Sequence, residues 1–144
     1  MILAEPYSLL NLGKNIMRVI KLLWIDDMEN WANSAQKNLE LISPKYDIQL
    51  KVICATNGED LDIIQKIEHY DFDAIVMDYH MEPFNGDKYI REIRYEEHLE
   101  HVPILFYSQD NSTNLSEIVG DLKNIITVYR PNLEDKIKEL FFNK

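Results

Sequence analysis

The sequence predicts an α/β fold: five parallel strands in one doubly wound sheet, with helices on both faces. Three observations carry this. Short apolar runs rich in β-branched residues recur from residue 19 onward. Segments of helical spacing separate them, so each helix serves as a crossover between parallel strands. The length, 144 residues with 46% hydrophobic composition, suits a single domain with a real core.

The runs cover residues 19–25, 48–55, 74–77, 102–107 and 125–129, and they read as buried strands. After the first run, Trp31, Ala35, Leu39 and Ile42 share a helical face, and Pro44 stops that helix near Ser43. Cys54, inside the apolar stretch KVICA of the second run, reads as a core residue. A second helix follows through Leu61, Ile64 and Ile67, with Asn57 as its cap and Asp60 near its positive end. Ile90 and Ile93 mark a third helix, and Leu115, Ile118, Val119 and Leu122 a fourth. Leu133, Ile137, Leu140 and Phe141 mark the last, capped by Asn132 after Pro131. Right-handed crossovers distribute these helices over both faces. Chemistry is then expected at the carboxyl ends of the strands.

Residues 1–18 stand outside the pattern. Leu9, Leu12 and Ile16 allow a short amphipathic helix packing on the domain or on a partner, including a second copy in a homodimer. The alternatives are a partly ordered arm and translation starting at Met17.

Net charge is −10, from 15 basic and 25 acidic residues. That argues against sequence-independent nucleic-acid binding, which needs a basic surface. No apolar stretch reaches the roughly 18–20 residues that span a bilayer. The N-terminus has no basic start, and Glu5 and Pro6 interrupt its apolar residues, so it does not read as a signal peptide. The single cysteine excludes an internal disulfide, and a reducing cytoplasm is the expected setting.

The strand ends carry the chemistry. The first run ends in Asp26-Asp27, the third in Asp78, the fourth in Ser108 and the fifth in Arg130-Pro131. Three carboxylates brought together repel; at about 5 Å and an effective dielectric near 20, one pair costs on the order of 3 kcal/mol. Either a raised pKa or a hard cation must offset this. Oxygen-only ligands with a partly open shell suit Mg²⁺, which also accepts a phosphate oxygen. No His/Cys cluster suits zinc, and His69, His98 and His101 read as solvated. A carboxylate beside Mg²⁺ can attack phosphorus and form an aspartyl phosphate. Arg130 and Ser108 would supply the positive charge and hydrogen-bond donor that a phosphoryl group needs.

With Gly86 eight residues beyond Asp78, Ser108 thirty beyond it and Arg130-Pro131 fifty-two beyond it, residues 19–142 resemble the receiver domains of bacterial two-component response regulators, which implies a receiver domain over 19–144. That family has a Gly, a Thr or Ser, and a Lys-Pro at those intervals. The resemblance implies a flavodoxin-like, CheY-like fold and a signalling switch rather than an enzyme in the ordinary sense. It implies Asp78 as phosphoacceptor, Asp27 as a direct Mg²⁺ ligand, Asp26 as a ligand largely through water, and the His80 backbone carbonyl as the third protein ligand. Ser108 and Arg130 would contact the phosphoryl group. A histidine kinase or phosphotransfer protein would be the donor. Because the sequence ends at Lys144 without an effector region, output is expected through protein contact, and neither nucleic acid nor membrane is an expected partner.

Three departures are visible. Arg130 replaces the family's Lys, and it can hold a phosphoryl group bidentately or pair with Asp78 or Asp26 instead. Glu82 stands where the family usually has Pro, with Pro83 after it. Thr127 stands where an aromatic switch residue is common, with Tyr107 and Tyr129 nearby. His80 and Asp110 occupy places that line the path of attacking water in the family. These departures leave a pseudo-receiver, an interaction module without phosphorylation, as the alternative. A Mg²⁺-dependent phosphatase with an Asp-x-Asp motif is disfavoured because Asp26 and Asp27 are adjacent.

Overall fold

Side chains alternate along each apolar run, and the sheet is covered on both sides. The computed structural model describes residues 17–56 and 67–143. Strands β1 (Arg18–Ile25), β2 (Ile48–Ala55), β3 (Ala74–Asp78), β4 (Ile104–Ser108) and β5 (Ile125–Tyr129) form one parallel sheet in the order β2-β1-β3-β4-β5. The described helices are α1 (Glu29–Ile42), α2 (Gly86–Tyr95), α3 (Leu115–Val119) and α4 (Leu133–Ile137), the last continuing as a wider turn over Lys138–Phe142.

Leu22, Trp24, Val76, Leu105 and Tyr107 face α1 and α4, where they meet Ala35, Leu39, Leu133 and Ile137. Leu23, Ile25, Ile75, Met77 and Phe106 face the other way, against Tyr89, Ile90 and Ile93 of α2 and Leu115 and Val119 of α3. This is the doubly wound arrangement expected. β3 and β4 are buried along their whole length, as strands covered on both faces must be.

Several local expectations change. Asn57, Asp60, Leu61 and Ile64 lie outside the described residues, as do residues 1–16; Ile67 is buried in the core on the α2 side. Cys54 is exposed rather than buried, because β2 is an edge strand paired only with β1; its thiol donates to Gln36 Oε1 at 3.3 Å. Asn132 occupies the N-cap position of α4 but makes no side-chain cap. Asn114 caps α3 instead, accepting from the Glu117 N–H at 3.2 Å. α3 stops before Leu122, at Gly120, whose φ of 59° breaks the helix. At the end of the sheet away from the carboxylates, Arg94 is buried and its guanidinium donates to the carbonyls of Leu99, Val102, Lys123 and Asn124. It thereby ties down the loops entering β4 and β5.

Gly86 opens α2 and donates its N–H to Tyr79 O at 2.8 Å, folding the loop after β3 back onto the strand. A Cβ there would lie 2.1 Å from the backbone carbonyl oxygen of Asp78. Backbone cannot yield as a flexible side chain does, so only glycine fits. Gly86→Ala is expected to lower stability by about 2–3 kcal/mol in urea denaturation, the upper range for overpacking; a loss within experimental error would contradict this close approach.

Candidate functional site

Register assembles the site. β1 and β3 pair with Ile25 opposite Met77, so Asp26 and Asp78 emerge side by side. β3 and β4 pair with Asp78 opposite Tyr107, and β4 and β5 with Ser108 opposite Tyr129. Ser108 and Arg130 therefore follow at the same edge. The strand order reverses between β1 and β3, the switch point at which open α/β sheets bind ligands.

Carboxylate oxygens of Asp26, Asp27 and Asp78 lie within 4.8 Å of one another. Asp26 and Asp78 are buried, while Asp27 is exposed. Burial, then the charges of Asp26 and Asp27, push the Asp78 carboxyl up to about 8, against weaker lowering by the His80 backbone N–H and Arg130. Burial also raises the Asp26 carboxyl; hydrogen bonds from Tyr107 and the Met28 N–H oppose this, and Asp27 adds to it. Asp26 Oδ1 accepts from the Met28 N–H at 2.6 Å, and Oδ2 accepts a short hydrogen bond from the Tyr107 hydroxyl. Trp24 Nε1–H donates to that hydroxyl at 3.2 Å. Burial and the carboxylates at Asp26 and Asp78 hold the Tyr107 phenol well above its usual range, so it stays a donor.

An acidic, oxygen-only cluster with raised carboxyl pKa values and one exposed member fits a hard divalent cation. Asp27 Oδ2 is steadied by the Glu82 backbone N–H at 3.3 Å. Glu82 is exposed, and its main chain is what contacts Asp27.

Ser108 is buried and its Oγ accepts the Asp110 N–H at 3.0 Å, with His80 Nδ1 at 3.4 Å. Asp110, exposed, caps the next turn through Ser112, which holds its carboxyl below the usual range. A cavity of about 180 Å³ opens beside Ser108 between Asn114, Leu115, Thr127 and Tyr129. Arg130 does not join the carboxylates. Nη1 donates to Gln109 Oε1 at 2.9 Å, and the guanidinium lies 4.3 Å from the Trp31 ring centroid.

The sheet edge thus brings together Asp26, Asp27, Asp78, Ser108 and His80 and leaves Arg130 to one side. Tyr107, Trp24, Trp31 and Gln109 were not among the expected site residues. The aromatic three lie at or near the ends of β1 and β4, whereas nothing in the sequence singles out Gln109.

No protein-family model matches the sequence, and no curated protein does. Solved structures do. The chemotaxis protein CheY4 of Vibrio cholerae is 17% identical with a TM-score of 0.64, covering 85% of this chain and 95% of that one. The receiver domain of Francisella response regulator 1452 is 19% identical, TM-score 0.65, covering 84% and 95%. The signal receiver domain of a DNA-binding response regulator of Colwellia psychrerythraea is 18% identical, TM-score 0.66, covering 84% and 97%.

This chain has the receiver-domain fold.

The receiver fold spans nearly all of the described residues and agrees with the flavodoxin-like architecture expected. None of the described helices is long and apolar enough to cross a membrane.

The raised Asp78 pKa has a thermodynamic consequence. An unfolded Asp titrates near about 3.9, and folded Asp78 near about 8. Between these values the folded chain holds a proton that the unfolded chain has lost, so stability falls as pH rises. Asp78→Asn removes this dependence. In chelated buffer its thermal midpoint is expected to gain on the parent by at least about 5 °C between about pH 5 and about pH 9. Parallel pH curves for the two proteins would contradict the shift.

Proposed function

We propose that the chain is a cytoplasmic phosphoacceptor switch of a two-component phosphorelay, with Asp78 as acceptor. The observation that carries this reading is the acidic cluster at the switch point, with Ser108 buried beside it. Asp26, Asp27 and Asp78, with the His80 carbonyl, would hold Mg²⁺. When bound, Mg²⁺ supplies the positive charge that keeps Asp78 ionised and takes up a phosphoryl oxygen.

The chain's own groups do the rest. Tyr107 and the Met28 N–H fix Asp26 in place before any ligand arrives. Asp78 Oδ attacks phosphorus of a phosphohistidine on a histidine kinase or phosphotransfer protein. The O–P bond forms, the P–N bond breaks, and the electron pair leaves with the imidazole nitrogen, which takes up a proton. The Ser108 hydroxyl donates to the arriving phosphoryl oxygens, and Arg130 offers a planar fork to them. The chemistry is self-directed, and output passes through contact with a protein target. A homodimer through residues 1–18 belongs to the same proposal.

One observation favours a second reading. Arg130 rests on Trp31 and Gln109 rather than on the carboxylates, as it could in a pseudo-receiver that binds partners without phosphorylation.

Incubation with Mg²⁺ and a small-molecule phosphodonor separates the two. Intact-mass measurement is expected to show one added phosphoryl group, mapped to Asp78 and lost in Asp78→Asn or with chelator. No adduct, or one elsewhere, would leave the pseudo-receiver.

A further inference from the structure

Arg130 follows the last residue of β5, at the sheet edge that carries the three acidic side chains, yet among the described residues it forms no ion pair with any of them. Its charge still weakly lowers the Asp26 and Asp78 carboxyls, against the larger effect of burial. Its guanidinium carbon lies over Trp31 at 4.3 Å from the ring centroid, Nη1 donates to Gln109 Oε1 at 2.9 Å, and Met28 Sδ lies 3.6 Å from Nη1. Arginine over tryptophan is a favourable cation–π geometry, because the guanidinium is planar and weakly hydrated. Trp31 is itself braced, with its ring 5.6 Å from Tyr107 and 6.2 Å from Trp24. The perch is therefore attached to the same aromatic group that holds Asp26.

We propose that Trp31 and Gln109 are positioning residues that hold Arg130 off the carboxylates in the resting state, and that a phosphoryl group on Asp78 draws Arg130 across and uncovers Trp31. This rests on the phosphoacceptor reading above. A phosphoryl group brings about −1.5 to −2 charge and three strong acceptor oxygens. The bidentate pair it offers a guanidinium is stronger than one neutral hydrogen bond and a partly exposed ring contact. The latch competes with the phosphorylated state, so weakening it favours that state. Removing one such hydrogen bond corresponds to a change of about two- to tenfold in the equilibrium.

The test uses the full chain with Mg²⁺ and beryllofluoride as phosphoryl mimic. The Ser108 amide NMR signal reports binding, and the Trp31 side-chain indole N–H signal, resolved from that of Trp24, reports Trp31. In the parent, both are expected to change. In Arg130→Ala, Ser108 still shifts and the Trp31 response is lost. Gln109→Ala, at an exposed contact, binds the mimic about two- to tenfold tighter with unchanged urea stability. Trp31→Leu also binds tighter, and Trp31→Phe, which keeps a ring face, returns towards the parent. If Trp31→Leu does not fold, Gln109→Ala carries the test alone. Equal or weaker binding by Gln109→Ala, with Ser108 shifting as in the parent, overturns the latch and leaves the phosphoacceptor reading intact. No Ser108 shift in the parent overturns both.

Discussion

Repulsion among Asp26, Asp27 and Asp78 is the constraint on which the rest of the site depends. Strand register forces it: Ile25 lies opposite Met77, so the residues that follow cannot avoid one another. The chain then has two ways to relieve the strain. It can hold a proton on Asp78, as its pKa of about 8 indicates, or it can exchange that proton for a cation. A carboxyl held protonated at neutral pH is a poor nucleophile. In the phosphoacceptor reading, exchange of that proton for a cation is what would leave Asp78 ionised and able to react.

The surrounding structure keeps this cluster from relaxing in other ways. Gly86 lets α2 begin against the Asp78 carbonyl, closer than any side chain would allow. Tyr107, fed by the Trp24 indole, occupies one Asp26 oxygen, and the Met28 N–H occupies the other. Asp26 is thus fixed by donors that work without metal, while Asp27 faces solvent. Trp31 joins this scaffold to Arg130, so the guanidinium and the carboxylate cluster share one aromatic support.

Much of this was legible in the sequence because strands end abruptly. A β-branched run that stops in Asp or Ser names both the element and its terminal polar group, and the intervals from Asp78 to Gly86, Ser108 and Arg130 hold without a gap. The sheet, both helical faces and the meeting of the three acids followed from that. What was not legible depends on neighbours distant in sequence. Tyr107 reads as one more buried strand residue until β4 is set beside β3 and its hydroxyl meets Asp26 across 81 positions. The perch of Arg130 is a matter of rotamer, and the spacing that identified Arg130 is silent on rotamers. Cys54 sits in an apolar run that pattern reading assigns to the core, but β2 is an edge strand and leaves it exposed. Asn132 has the right residue type for a cap, whereas Asn114, unremarked in the pattern, does the capping.

The central claim is that proton and cation compete for the same carboxylate cluster. Titration of the Asp78 side-chain carboxyl carbon by NMR, without and then with Mg²⁺, tests it most directly. The account predicts a midpoint near about 8 in chelated buffer, falling well into the ordinary carboxylate range when Mg²⁺ is added. An ordinary midpoint without metal, or a raised midpoint that Mg²⁺ leaves unmoved, would contradict it.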